Sequence, residues 1–208
     1  MTLAETRGFF LRRNLGLGIW NLCPDFYLYQ MRKILLLSTF VLLQSCQIAG
    51  LTNDYSKLSA GEKALIVDGD SFDKTTTTKI YKITGTQLRD DIAKQPKAFV
   101  YVFTNGCHSP NCKPMKVYEI YAKEHGYKLY LVMSGYGNLH ETLEQRNAFE
   151  SPLYAIKTEA YDSRYRTVFE RCFSNELVQR PKKEGRNGCL FFFENGKFVS
   201  ESWELPNG

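Results

Sequence analysis

The sequence predicts an α/β fold: a mixed β-sheet flanked by helices, with a helical insertion before a final hairpin. Three observations predict it. The continuous apolar run Ala98–Phe103 has the β-branched and aromatic content of a strand buried on both faces. Segments of strand and helix character alternate around it, the order that builds a sheet with helices on its faces. Near its end the chain carries two strand-like runs, Cys189–Phe193 and Lys197–Val199, about an Asn195-Gly196 turn.

Taken in order, Ala64–Val67 and Lys79–Ile83 read as short strands, separated by Asp, Gly and Thr. Thr86 reads as the N-cap of a short helix carrying Leu88 and Ile92, which stops near Pro96. After the central run, Ser109-Pro110 is a helix start, a serine cap followed by proline at the first helical position. That helix carries Val117, Ile120 and Tyr121 inward and ends at Gly126; Tyr127–Met133 is the next strand. Asn138, with Glu141 three residues on, predicts a capping box before Leu139 and Leu143. Residues 151–180 supply the insertion. Its helix runs from about Ser163 to Leu177, with Tyr165, Val168, Phe169, Cys172 and Phe173 on one face.

At 208 residues the chain suits one ordinary domain with an extra segment. With 43% hydrophobic residues it can build a core without disulfide staples. The net charge of +5 is mild and its basic residues mostly alternate with acidic ones, so no nucleic-acid partner is expected. No glycine-rich phosphate loop, paired carboxylate motif or serine triad is readable, and no cofactor is implied.

The N-terminal region reads as a targeting signal that begins late. Met31-Arg32-Lys33 is a short positive segment, followed by the apolar run Ile34–Leu43 and by Gln44-Ser45-Cys46. The run falls short of the roughly 20 apolar residues that a bilayer span needs. Leu43–Cys46 resembles the lipobox of bacterial lipoproteins, which implies acylation at Cys46, a membrane anchor and a place in the cell envelope facing the periplasm. An uncleaved signal anchor or a buried helix is the other reading. Residues 1–30 are then an upstream segment, untranslated or disordered, with Met31 as the initiator and Cys23 absent from the product; a long n-region or a short amphipathic segment on the membrane is the alternative. Residues 31–46 are the signal peptide, 47–62 a polar flexible tether, and 63–208 the folded domain.

Cys107 and Cys112 flank the junction between the central strand and the next helix. A thiolate, not a thiol, attacks a disulfide, and a helix amino end lowers a cysteine's pKa through unpaired amides and the helix dipole. With Ser109 as cap, Cys112 is the third helical residue and the more acidic thiol. The Ser-Pro turn can fold the loop back so that the two sulfurs meet. A static disulfide, or a soft-metal site using Cys107, His108 and Cys112, are the other readings of the cluster.

The strand ending at Phe103, the cysteine pair at the strand-to-helix junction, Lys113 after the second cysteine and the Phe191–Lys197 hairpin together resemble the thioredoxin family. The resemblance covers about 125 residues and implies a thioredoxin-like sheet. It also implies that Cys107 is the exposed attacker and Cys112 the resolving thiol. Three departures bear on activity: four residues separate the cysteines instead of two, Gly188 stands at the family's cis-proline, and Tyr101 stands near its buried acid.

Cys172 and Cys189 remain; in an oxidising compartment they invite a second bridge. The expected function is a thiol–disulfide oxidoreductase acting on disulfides of exported proteins, recharged by an electron donor. The alternative is a non-catalytic accessory or binding lipoprotein of the same fold.

Overall fold

The computed structural model describes residues 50–109 and 112–206. The signal at 31–46, its Cys46, the upstream segment 1–30 and the start of the tether lie outside the described residues. No described helix is long and apolar enough to cross a membrane.

The apolar run is strand β3 (Lys97–Phe103), and six of its seven residues are buried. Six further strands join it: β1 (Ile66–Asp68), β2 (Ile80–Ile83), β4 (Lys128–Met133), β5 (Leu153–Ile156), β6 (Leu190–Glu194) and β7 (Lys197–Ser202). They form one sheet in the order β1-β2-β5-β4-β3-β6-β7. The first five positions pair in parallel, and β3–β6 and β6–β7 are antiparallel. The fold is therefore a seven-stranded mixed α/β sheet flanked by helices.

Among the described residues five α-helices accompany it: α1 (Ala60–Leu65), α2 (Gly85–Ile92), α3 (Met115–His125), α4 (Leu139–Glu144) and α5 (Arg166–Val178). Because side chains alternate along a strand, the interior strands feed two cores. Phe99, Tyr101, Leu131 and Met133 meet Met115 and Tyr118 of α3 and Leu139 of α4. Val100, Val102, Tyr130 and Val132 meet Leu88 and Ile92 of α2 and Phe169, Phe173 and Leu177 of α5 on the other face. The final hairpin turns at Asn195 and Gly196, both at positive φ (49° and 74°), the backbone of a tight primed turn.

Several elements differ from expectation. The helix predicted from a Thr86 cap is capped two residues earlier: Thr84 Oγ1 accepts from Gln87 N, and Gln87 returns the capping-box bond. Asn138 makes no capping bond and is left-handed (φ 54°). The helix after the cysteine loop starts at Met115, not at Ser109-Pro110, with Pro114 at its cap. The register changes with it. Met115, Tyr118, Glu119 and Ala122 face inward at helical spacing, while Val117 and Ile120 are exposed. The expected helical insertion also holds a strand, β5, which sits inside the sheet between β2 and β4 with all four residues buried. Four residues carry too little periodicity to announce a strand.

The expected tether is packed from Gly50 onward. Leu58 is buried in the α3-side core. Asp54 is 3% exposed, accepts the Gly50 N–H at 2.8 Å and pairs with Lys57 at 2.8 Å. Burial opposes its charge, but Lys57 and the Gly50 amide outweigh that and hold the carboxyl below its ordinary pKa. A polar segment with two leucines reads as solvated; beside Asp54's local bonds, the Tyr136 N–H to the Asn53 carbonyl (2.7 Å) and the burial of Leu58 tie it to the rest of the fold.

Candidate functional site

Strand β3 delivers the chain to a loop at its carboxyl end, where open α/β sheets gather ligands and chemistry. The loop needs an unusual backbone. Gly106 has φ +65°, and a Cβ there would come within 2.5 Å of Glu141 Oε1 and 2.8 Å of Asn138 Nδ2. The positive φ is what favours glycine here, since the near atoms belong to the ends of side chains that can move aside. Asn105 locks the turn from inside: it is buried, donates to the Gly135 carbonyl (2.8 Å) and accepts from Thr142 Oγ1 (2.7 Å).

Cys107 and Cys112 are joined in a disulfide, with Cα atoms 6.0 Å apart. The loop folds back as its spacing requires, and Cys112 N donates to the Ser109 carbonyl at 2.9 Å. Cys107 is exposed and Cys112 half-buried. The pair lines a small cleft of about 150 Å³ with Tyr101, Met115, Glu141 and Gln145. His108 is largely exposed and has Nε2 3.6 Å from Glu141 Oε2.

The expected helix-dipole activation of Cys112 needs correction. Helix α3 begins at Met115, three residues after Cys112, and the Met115 N–H is given to Gln145 Oε1 (3.2 Å). The amino-end amides that would stabilise a Cys112 thiolate are therefore offset from it along the chain, and one is already used.

Tyr101, at the position where the thioredoxin resemblance expects an acid, packs with its ring 4.0 Å from that of Tyr118. Burial and the hydrogen bond with Tyr118 push its hydroxyl pKa far above the ordinary tyrosine range. Tyr101 stays protonated at physiological pH.

The expected Cys172–Cys189 bridge is absent, and both thiols are free. Cys189 packs against the α3-side core, whereas α5, which carries Cys172, covers the opposite face. Burial pushes the Cys189 thiol pKa up against the opposing charge of Arg186. Neither cysteine joins the cleft.

Asn105, Thr142 and Gln145 are site residues that sequence reasoning missed, and it read Glu141 only as a capping residue. The local pattern does not show their part in the site, because Glu141, Thr142 and Gln145 meet the loop only when α4 and the turn after it pack beside it. Among the described residues no three His, Cys, Asp or Glu side chains converge on a metal position. With both sulfurs bonded to each other, Cys107 and Cys112 are not metal ligands in this state. No protein-family model, curated protein or solved structure gives a significant match to this chain.

Proposed function

We propose that this chain is a membrane-anchored thiol–disulfide oxidoreductase of the bacterial cell envelope, of thioredoxin-like design, acting on disulfides of exported proteins. One observation carries the reading. A disulfide-bonded pair, one cysteine exposed and the other half-buried, sits on the loop that leaves the carboxyl end of an interior strand. That asymmetry matches the two roles the exchange needs.

In the reduced protein the Cys107 thiolate attacks one sulfur of a substrate disulfide. A mixed disulfide forms and the first substrate thiolate leaves. The Cys112 thiolate then attacks Cys107 Sγ, releasing the second substrate thiolate and closing the Cys107–Cys112 bond. Two electrons pass to the substrate, whose thiolates take up protons from water. A dithiol donor in the envelope returns the pair to its reduced form by the same exchange. The helix offset at Cys112 and the four-residue spacing make this a slow, partner-restricted reaction.

Trapping tests the mechanism. Cys112→Ser is expected to accumulate mixed disulfides through Cys107 with cellular proteins, and Cys107→Ser to accumulate none. A second reading, an accessory lipoprotein with a structural bridge, is favoured by the start of α3 at Met115 rather than beside Cys112. It prevails if neither variant traps a partner and the pair's potential lies below about −300 mV, where structural bridges resist glutathione.

The anchor is tested separately. The mature protein is expected to begin at acylated Cys46 and to partition with membranes, and Cys46→Ala to remain unprocessed. Mass spectrometry that finds an unmodified peptide running through Ser45-Cys46-Gln47 as the main species would overturn it.

A further inference from the structure

Eight large apolar side chains are exposed among the described residues, and four of them, Leu51, Tyr55, Tyr165 and Trp203, gather at one end of the sheet. Leu51 belongs to a segment that crosses the carboxyl ends of the parallel strands. Its carbonyl accepts from Arg166 N at the start of α5 (3.0 Å), and the Asn53 carbonyl accepts from Tyr136 N, after β4. Asn53 Nδ2 donates to Thr158 Oγ1, after β5, at 2.7 Å. Tyr55 packs edge to face on Tyr136 at 5.5 Å, and with Arg164 it lines a crevice of about 690 Å³. Tyr165 stands at the cap of α5. Trp203 follows Ser202, which pairs with Leu190 opposite Tyr101, near the carboxyl end of β3.

Each of the three rings has a cation over it. Lys63 Nζ lies 5.7 Å from the Tyr55 centroid, and the guanidinium carbons of Arg164 and Arg186 lie 5.4 Å from those of Tyr165 and Trp203. Glu170 ties the last two regions together, with Arg166 Nε at 3.6 Å and Arg186 Nη2 at 3.3 Å. The charges around the rim nearly balance. Lys63, Arg164, Arg166 and Arg186 stand against Glu62, Asp162, Glu170 and Glu204. Tyrosine and tryptophan rings flanked by long basic side chains suit a membrane interface, where the rings sit at headgroup level and the cations reach outward to phosphate.

The chain itself points to this occupant. Gly50 is packed at the same rim: a Cβ there would stand 3.1 Å from Arg166 Nη1. Cys46 precedes it by four residues, which span at most about 14 Å. An acyl chain on Cys46 therefore keeps the rim within a short reach of the bilayer.

We propose that this rim seats on the lipid bilayer, with Leu51, Tyr55, Tyr165 and Trp203 in its interfacial layer, a proposal that rests on the acyl anchor at Cys46. The anchor alone tethers the domain without orienting it; the rim supplies a second contact that does. With its charges balanced, seating is driven by apolar burial and is insensitive to salt. The cysteine loop leaves the same end of β3, and Gly106 lines a pocket of about 200 Å³ together with Gly50 and Thr52. Seating thus brings the Cys107–Cys112 pair to the membrane surface.

Trp203 is the single tryptophan after Cys46 and reports on the rim directly. The test uses acylated protein purified from membranes and reconstituted in vesicles of phosphatidylethanolamine and phosphatidylglycerol, brominated in the upper part of their acyl chains. Co-sedimentation with the vesicles reads the anchor, and Trp203 emission reads the seating. Trp203 emission is expected to shift to the blue and to be quenched by the brominated lipid, at low and high salt alike. The double variant Leu51→Glu with Tyr165→Glu, both at exposed positions, is expected to keep its melting temperature and co-sedimentation but to lose most of the quenching. Co-sedimentation with Trp203 unquenched, or with quenching equal in the double variant, would overturn the proposal and leave the anchor standing. A blue shift that follows protein concentration in detergent, with no effect of lipid, would overturn it in favour of a second copy of the chain. Protein that carries no acyl group and does not sediment would overturn the anchor and the seating together.

Discussion

Replacing Glu119 by alanine is expected to destabilise the fold by about 3 kcal/mol. Glu119 lies on the inner face of α3 and is 2% exposed. Its Oε1 accepts from Glu150 N (2.8 Å), Ser151 N (2.9 Å) and Ser151 Oγ (2.9 Å), so one oxygen pins the turn that leads into β5. Lys116 approaches Oε2 at 3.1 Å and Lys123 at 3.8 Å. These lysines are themselves well exposed and add little. Truncation strands two backbone donors and removes three charge-assisted bonds, which is why the cost exceeds that of an ordinary surface change.

The same carboxylate sets a pH dependence. Burial works against its charge, but the bonds from Glu150, Ser151 and Lys116 outweigh burial and hold its pKa at about 2, against an ordinary value of 4.5. A folded pKa below the unfolded one means that the stabilisation is complete above about 4.5 and is lost as pH falls toward about 2. Urea melts of the parent should therefore lose stability across that window more steeply than melts of Glu119→Gln. Equal midpoints for parent and Glu119→Ala at pH 7 would show that the bonds contribute nothing net.

Gly85→Ala is expected to cost a comparable amount, about 3 kcal/mol. Gly85 opens α2 where that helix crosses α5, and an added Cβ would stand 2.3 Å from the Phe173 carbonyl oxygen. It would also stand 2.8 Å from Glu176 Cβ and 3.1 Å from Leu177 N. Two of those three atoms are backbone, so the helices must separate to admit a methyl group. Separation loosens Phe173 and Leu177 in the core and stretches the Gly85–Tyr161 bond. Gly61→Ala is the control. It lies in exposed α1 with nothing within 4 Å of the new Cβ, and should be neutral or stabilising by up to about 1 kcal/mol. Matching melting temperatures for the two variants would show that the α2–α5 contact yields at no cost.

The sequence by itself determined the elements whose signal is local and long. β3, β4 and the Asn195-Gly196 hairpin are recognisable from apolar runs and turn chemistry alone, and so is the placement of Cys107 in the loop that follows β3. Only the tertiary structure decided where α3 begins. Ser109-Pro110 offers a sound local start, yet Gln145 on the far side of the loop takes the Met115 N–H and Tyr118 Oη accepts the Lys113 N–H (3.2 Å). The same holds for β5, too short for any period to show, and for the segment from Gly50 to Leu58, whose polar residues look solvated until Asn53 and Leu58 meet their distant partners. The fate of Cys172 and Cys189 was likewise settled by packing, because α5 and the start of β6 place them against different layers of the sheet. The physical reason is common to all four. Periodicity and capping report interactions within a few residues, whereas these outcomes rest on bonds and contacts between residues far apart in the chain, which no local pattern encodes.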